Sequence, residues 1–167
     1  LKASEVAYDL IRQAEIFHFG TLSMTDETVR EATIQAIALA KEQGLLISFD
    51  PNLRPPLWKS MDEAKVQIAY GLGQCDVLKI SDNEIEFMTD TSDFDEGVQI
   101  LMDQYPNIRL LNLTAGADGS YSYYQGKKVF VPSYLLGGTV DTTGAGDTFC
   151  GSVLNYLLEH DVDHLTE

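Results

Sequence analysis

The segment 141–147 reads Asp-Thr-Thr-Gly-Ala-Gly-Asp and has the residue types needed to hold an anionic group. It leads into an apolar helical run that includes Phe149, Val153 and Leu157. A helix N-terminus offers unpaired N–H groups and a positive dipole end, and small residues let an anion approach them closely. Asp147, in the first helical turn, could act as general base for a hydroxyl that attacks a phosphoryl group. The same position also suits an ordinary aspartate that favours the helix dipole or caps the helix.

Two other glycine-rich phosphate-binding motifs are excluded by the residues themselves. A P-loop needs Lys-Ser or Lys-Thr directly after its last glycine, and no glycine of this chain is followed by such a pair. A dinucleotide-binding fingerprint needs a third glycine three residues after Gly146, but Phe149 stands there. The segment therefore predicts an anion site that belongs to neither motif.

Short apolar runs alternate with helical patterns along the chain, which predicts an α/β fold with a parallel sheet and crossover helices. An antiparallel hairpin is predicted near the end, joined by Gln125-Gly126. The predicted strands are 16–19, 45–49, 77–80 and 110–113, the hairpin strands are 120–124 and 128–131, and the helices are about 26–43, 60–72, a short one after Ser81, 93–104 and 144–159.

Polar or glycine-rich segments follow three of the strands and the hairpin. In open α/β sheets, ligands bind beyond the carboxyl ends of the strands, so we expect these segments to converge on one rim of the sheet. They are 50–54, 81–84, 114–119 and 141–147.

Composition excludes several classes of protein. The 167 residues contain 11 Lys plus Arg and 26 Asp plus Glu, a formal net charge of −15, so nucleic acid is not an expected partner. No run is long enough to span a membrane and no signal peptide opens the sequence, which predicts a cytoplasmic protein.

Cys75 and Cys150 flank apolar runs and are expected to be buried thiols. His18 lies inside an apolar strand and is expected to be a satisfied core histidine.

Segment 141–147 resembles the C-terminal signature of the ribokinase-like (PfkB) sugar kinases. Segments 50–54, 81–84 and 114–119 occur in that family's order, as Asp-Pro-Asn-Leu-Arg, Ser-x-x-Glu and Thr-x-Gly-x-x-Gly. Within the family the chain is most similar to fructokinases, through 18–20, 49–58 and 78–81. The resemblance covers essentially all of 1–167. It implies a partial ribokinase-like (Rossmann-like) domain, namely the nucleotide-binding and catalytic half without the family's N-terminal lid.

The resemblance implies ATP-dependent phosphorylation of a sugar hydroxyl, with fructose as the expected sugar. Asp147 would take the hydroxyl proton, and the backbone N–H groups of Gly144, Ala145, Gly146 and Asp147 would form the anion hole. Phosphoryl transfer is mainly positioning plus charge stabilisation, so an acidic chain is expected to need Mg²⁺ beside ATP. A 2-keto-3-deoxygluconate kinase, a ribokinase and a non-catalytic nucleotide-binding domain of the same fold remain as alternatives.

Two groups of candidate ligands come from the same resemblance. Glu84 matches the end of the family's Asn-x-x-Glu motif, which orders water around the metal, although Ser81 replaces the Asn and Ser81-x-x-Glu84 is also a capping box. Thr114, Gly116 and Gly119 match the segment that contacts ATP phosphates and ribose. Alternatively, they form only a strand-ending turn in which glycine supplies a positive φ.

Four further residues have a functional and a structural interpretation. Asp141 and Thr143 match positions near the family's monovalent-cation site, where K⁺ is the expected ion, or they cap the following helix. Asn52 and Arg54 could reach the phosphoryl group or the sugar, or they form a turn and a surface charge. The family's N-terminal lid and its last helices are expected to lie outside the chain. We therefore expect little or no kinase activity from these 167 residues alone, and any homodimer contact through the lid lies outside them as well.

Overall fold

The computed structural model describes residues 1–134, 137 and 141–165, so the last two residues of the predicted domain 1–167 lie outside this part. Six strands form one sheet in chain order, from β1 to β6. The strands are β1 (Ile16–Gly20), β2 (Leu46–Asp50), β3 (Val77–Ser81), β4 (Leu110–Thr114), β5 (Ser120–Tyr124) and β6 (Lys127–Val131). The α-helices are α1 (Tyr8–Ile11), α2 (Glu27–Glu42), α3 (Met61–Leu72), α4 (Asp82–Thr89), α5 (Phe94–Gln104) and α6 (Ala145–Glu159).

Strands β1 to β4 are parallel, and β4 to β6 are antiparallel. The β5–β6 turn uses Gln125 at φ 47° and Gly126 at φ 76°, which is the left-handed backbone that a two-residue hairpin needs. The predicted α/β class, with a parallel sheet, flanking helices and a hairpin, is confirmed.

One face of the sheet packs against helices α2 to α5 and forms the main core. Alternate strand residues such as Phe49, Ile80 and Leu111 point into this face, where Ile37 of α2 and Ile68 of α3 meet them. All five side chains are almost completely buried. Burying each large apolar side chain stabilises the fold by roughly 1.5–3 kcal/mol, which makes this face the main source of stability.

The opposite face is more polar and carries α6. Its apolar contacts are few, and they centre on Val77, Leu110 and Leu157. Strand residues on this face also include buried polar side chains: Ser48, Asp50, Lys79 and Asn112. Buried polar groups need hydrogen-bond or ion-pair partners, so apolar packing alone does not explain these side chains.

A side chain caps the start of both α2 and α3, but the capping box that Ser60-x-x-Glu63 predicts is only half formed. Asp26 caps α2 by accepting hydrogen bonds from the backbone N–H groups of Thr28 and Val29. Ser60 caps α3 by accepting from the Glu63 N–H, but the Glu63 carboxylate pairs with Arg30 at 2.6 Å and does not complete a capping box. A tertiary ion pair has replaced the local contact there.

The expected burial of both thiols is confirmed, whereas the expectation that His18 is a core residue is wrong. Cys75 and Cys150 are both buried and free. The His18 side chain is more than a third exposed and is therefore not a core residue, although its Nδ1 lies 3.0 Å from Ser48 Oγ. The ring is still partly shielded from water, which lowers the pKa of His18, and the nearby charge of Asp147 raises it by less. Among the residues that the structure describes, no helix is long and apolar enough to cross a membrane.

Candidate active site

The carboxyl ends of the parallel strands meet at one edge of the sheet, as expected. Gly20 pairs in register with Asp50, and Ser81 pairs in register with Thr114, so β1 and β2 end together and β3 and β4 end together about two residues further along. The N-terminus of α6 reaches this edge and divides it into two clefts that share Gly146. Every predicted site residue except Asp141 lines one of them.

The first cleft, called here the polar cleft, has a volume of about 370 Å³. It lies between the ends of β2 and β3 and the start of α6. Its lining residues are Asp50, Asn52, Arg54, Lys79, Ser81, Glu84, Thr142, Thr143, Gly144, Gly146 and Asp147.

The start of α6 leaves three backbone donors available. Gly144 is the N-cap residue and has φ 80° and ψ 0°, a left-handed backbone that turns the chain into the helix. The Ala145 N–H already donates to the Thr142 carbonyl at 3.1 Å. The amides of Gly144, Gly146 and Asp147 donate to no residue that the structure describes. These three residues all line the polar cleft, so their amides are available to an anion bound there.

Asp147 lies in the first turn of α6 with its side chain exposed at the polar cleft. Its carboxylate makes no hydrogen bond or ion pair within the described part of the chain. A carboxylate without a protein partner can accept a proton from a bound hydroxyl. The position also favours the helix dipole, so the two interpretations of Asp147 are compatible.

A buried ion pair that the sequence analysis did not assign to the site forms the floor of the polar cleft. Lys79 Nζ lies 3.2 Å from Asp50 Oδ1 and 3.1 Å from Oδ2, and the two residues are 7% and 4% exposed. Burial raises the pKa of Asp50, the Lys79 charge lowers it by less, and the Glu84 charge raises it further. The signal in the sequence was a single lysine inside an apolar strand, because a buried ammonium needs a partner.

Glu84 is 5% exposed and is held by backbone donors. Its Oε2 accepts from the Ser81 N–H at 2.9 Å and its Oε1 accepts from the Leu53 N–H at 2.7 Å. Ser81 and Glu84 form the capping box that starts α4, which confirms the structural interpretation. The metal role of Glu84 stays a prediction.

Asn52 and Arg54 both line the polar cleft, after a turn at the end of β2. Asn52 has φ 48°, and its N–H donates to Asp50 Oδ1 at 3.2 Å. The exposed Arg54 guanidinium donates to the Leu53 carbonyl at 3.2 Å. The turn is therefore real, and both side chains remain positioned to meet a ligand.

Asp141 and Thr143 contact each other directly. Asp141 Oδ1 accepts from both the Thr143 N–H and the Thr143 hydroxyl at 2.8 Å, and these bonds lower the pKa of Asp141. Thr143 lines the polar cleft, whereas Asp141 does not. Their predicted role at a monovalent-cation site stays a prediction.

The second cleft, called here the glycine cleft, has a volume of about 380 Å³ and lies between β4, the end of β6 and α6. The turn after β4 has Gly116 at φ 52° and Gly119 at φ 129°. Ala115 N–H donates to the Gly119 carbonyl at 2.9 Å, and Ser133 Oγ donates to the Gly116 carbonyl at 3.0 Å. The residues lining this cleft are Thr114, Gly116, Gly119, Ser120, Val131, Pro132, Ser133, Tyr134, Ala145, Gly146 and Phe149.

Within the described residues, no group of three or more His, Cys, Asp or Glu side chains could hold a metal ion. The donor set fits a different kind of metal site. Mg²⁺ usually keeps several waters and is bound through one or two carboxylates plus substrate phosphates. Glu84 and Asp147 supply two carboxylates to the polar cleft, and each Glu84 oxygen retains a lone pair beyond its backbone bond.

Comparison with known proteins supplies the family. Residues 1–165 match the pfkB family carbohydrate kinase model. Fructokinase-2 of Solanum lycopersicum is 42% identical over 159 residues, which is 95% of this chain and 48% of that protein. The chain thus spans about half the length of the curated relatives it matches.

Solved structures agree with the family comparison. The fructokinase with bound ATP from Xylella fastidiosa has a TM-score of 0.84 at 27% identity, covering 96% of this chain and 49% of that one. A double mutant of the Vibrio cholerae O395 fructokinase, in its fructose-, ADP- and potassium-bound form, has a TM-score of 0.79 at 34% identity, covering 86% and 46%.

Proposed function

Because the chain belongs to the pfkB family of carbohydrate kinases, we propose that it is the nucleotide-binding and catalytic half of an ATP-dependent fructokinase. The observation that carries this proposal is the partner-free carboxylate of Asp147 beside the free amides of Gly146 and Asp147. A carboxylate and an anion site at one helix start are the two groups that transfer of a phosphoryl group to a hydroxyl requires.

The proposed chemistry uses few groups. The Asp147 carboxylate accepts the proton of a sugar hydroxyl as that oxygen bonds to the γ-phosphorus of ATP. The bond from this phosphorus to its bridging oxygen breaks, and ADP leaves with the bonding pair. The Gly146 and Asp147 amides stabilise the charge on the transferred group, an effect worth roughly 10²–10³ in kcat for one such donor. Bound Mg²⁺, near Glu84 and Asp147, would neutralise part of the phosphate charge.

The two clefts suit the two parts of the nucleotide. The glycine cleft exposes backbone and small side chains, so a ribose or phosphate can approach it closely. The polar cleft holds the candidate base. Gly146 lines both clefts, so a nucleotide in the glycine cleft can direct its terminal phosphate toward Asp147. Fructose as the sugar is supported by the names of the relatives at about 40% identity.

The test measures ADP release by the full-length protein that contains this sequence, supplied with Mg·ATP. The panel is fructose, ribose, 2-keto-3-deoxygluconate and a nucleoside. Loss of a general base typically costs 10²–10⁴-fold, so Asp147→Asn should lower kcat by at least about 100-fold while ATP still binds to the backbone amides.

Asp62→Asn is the matched control, because Asp62 is an exposed aspartate in the first turn of α3, away from both clefts. It should keep the parent rate. Fructose turnover that survives Asp147→Asn would refute the assignment of the base. Release with another sugar would replace fructose as substrate, and ATP binding without release for any sugar would favour a non-catalytic domain.

Three remaining expectations are part of the proposal. The isolated 167-residue chain should show little or no turnover in the same assay. The full-length protein should run as a homodimer in light scattering if the family's lid mediates contact. Fluorescent tagging should place it in the cytoplasm.

A further inference from the structure

Lys79 occupies an unusual position in the sheet. It lies at the centre of β3, on the face that carries α6, and it is buried together with its partner Asp50 at the end of β2. Ser48 pairs with Val77 and Phe49 with Leu78, so the continuing register places Asp50 beside Lys79. The pair is therefore built into two adjacent strands and does not depend on a loop.

Stability alone is a weak reason for this pair. Removing two charges from water costs several kcal/mol per ion, and replacing a buried ion pair by apolar side chains is often neutral or stabilising. The main core lies on the other face of the sheet. The Lys79–Asp50 pair lies under α6, so its role is to be sought in its contacts with the start of that helix.

Gly146 lies directly above Lys79. A Cβ built on Gly146 would be 3.2 Å from Lys79 Nζ, tighter than ordinary van der Waals contact. The ammonium thus sits behind the residue that lines both clefts and whose amide is free. A side chain on Gly146 would push the ammonium away from the start of α6.

The charged residues of the polar cleft indicate why the Lys79 ammonium lies against Gly146. Among the described lining residues, three carboxylates face two cations: Asp50, Glu84 and Asp147 against Arg54 and Lys79. Arg54 is exposed, so its charge is largely screened by water, whereas Lys79 is buried and is screened much less. Asp50 offsets much of the Lys79 charge, but Lys79 Nζ and not the Asp50 carboxylate is the end of the pair that lies against Gly146, so the pair presents its positive end to the helix start.

We propose that Lys79 is a positioning residue for phosphoryl transfer. Asp50 holds the buried Lys79 ammonium in place, and the ammonium fixes the position of Gly146 and adds positive charge behind the anion-binding amides. This role rests on the proposed function and deepens it. It predicts that loss of the charge weakens binding of the terminal phosphates far more than binding of the rest of the nucleotide.

The test uses Lys79→Met combined with Asp50→Asn in the full-length protein that contains this sequence. The double change leaves no unpaired buried charge, and Asn can still accept the Asn52 N–H bond that Asp50 Oδ1 accepts now. We expect the affinity for the non-hydrolysable analogue β,γ-imido-ATP to fall by roughly tenfold, a change of about 1.4 kcal/mol, because the variant removes the positive end of the pair from behind Gly146 even though the net charge is unchanged. Affinity for AMP should change by less than about twofold, and the KM for the sugar should be unchanged.

Arg30→Met with Glu63→Gln is the matched control. This pair joins α2 to α3 at 2.6 Å, is mostly buried, and lies outside both clefts. It should lower the unfolding temperature while leaving β,γ-imido-ATP affinity and kcat at the parent values. A folded Lys79→Met/Asp50→Asn protein that binds β,γ-imido-ATP and turns over like the parent would overturn the proposal.

A measurement on the native protein covers the case in which the double variant does not fold. The side-chain ¹⁵N NMR signal of Lys79 should shift on saturation with β,γ-imido-ATP and shift less with AMP. An unchanged signal would also overturn the proposal. The proposed function fails by a separate route, through turnover that survives Asp147→Asn, so the two failures are distinguishable.

Discussion

Replacement of Gly119 by alanine tests how closely the turn after β4 is tied to the end of the hairpin. Gly119 has φ 129° and ψ −148°, a backbone region that is essentially restricted to glycine. A Cβ at this position would lie 2.3 Å from the Val131 carbonyl oxygen and 2.9 Å from Pro132 Cα. Both are backbone atoms, so no side-chain rotation can relieve the contact.

The expected cost has two parts. A sparsely populated φ/ψ region costs about 1–3 kcal/mol, and overpacking adds about 1–3 kcal/mol, so Gly119→Ala should lower the free energy of unfolding by roughly 3 kcal/mol. Gly116 provides the matched control in the same turn. It has φ 52°, and a Cβ there would meet nothing within 4 Å. Gly116→Ala should cost only the left-handed backbone, about 1–2 kcal/mol, offset in part by a less flexible unfolded chain.

Thermal and urea unfolding of the two variants decides the matter. One kcal/mol shifts the unfolding temperature of a domain of this size by roughly 2–4 °C, so Gly119→Ala should lose about 6–12 °C and Gly116→Ala at most about 6 °C. Gly119→Ala should also weaken ATP binding, because Val131 and Pro132 line the glycine cleft and must move. Equal temperature losses for the two variants would refute the reasoning, since only Gly119 has backbone in the way.

Two further predictions concern titrating groups. Partial shielding from water holds the His18 pKa below that of the unfolded chain, so the native state binds the proton less tightly and His18 lowers stability as pH falls from about 6.5 toward its native pKa. His18→Asn should flatten this part of the pH-stability profile. In Asp147→Asn, NMR titration should show a still lower His18 pKa, because the variant lacks the Asp147 charge that raises it. An unchanged His18 pKa would contradict the proximity of His18 and Asp147. Burial also raises the pKa of the Cys75 and Cys150 thiols, so neither should react with a thiol reagent at pH 8 until the protein unfolds, and rapid labelling of native protein would show this to be wrong.

Much of the fold follows from local sequence. The apolar runs and helical periodicities predict all six strands and α2 to α6 to within about two residues. Caps such as Asp26 and Asp93 act on amides two or three positions away, so a short window of sequence contains the whole interaction. Strand ends also predict the shared rim, because parallel strands must finish at the same edge.

The sequence predicts which residues line the candidate site, but not which hydrogen bonds they make. The sequence indicated that Asp147 begins a helix, but not that its carboxylate would lack a described partner. It indicated Ala145 as an anion-hole donor, whereas the Thr142 carbonyl occupies that amide. Donor occupancy depends on how the turn closes in three dimensions, and residue types do not determine that closure.

The sequence by itself determined the elements, the turn glycines and the motifs that point to phosphoryl transfer, because each depends on residues a few positions apart. Only the tertiary structure decided that Lys79 pairs with Asp50, 29 residues away, and that Glu84 accepts from the Leu53 amide, 31 residues away. Those contacts depend on the register between neighbouring strands and on where α6 crosses the sheet. Register is fixed by packing of the whole sheet against its helices, so no segment of the sequence contains it.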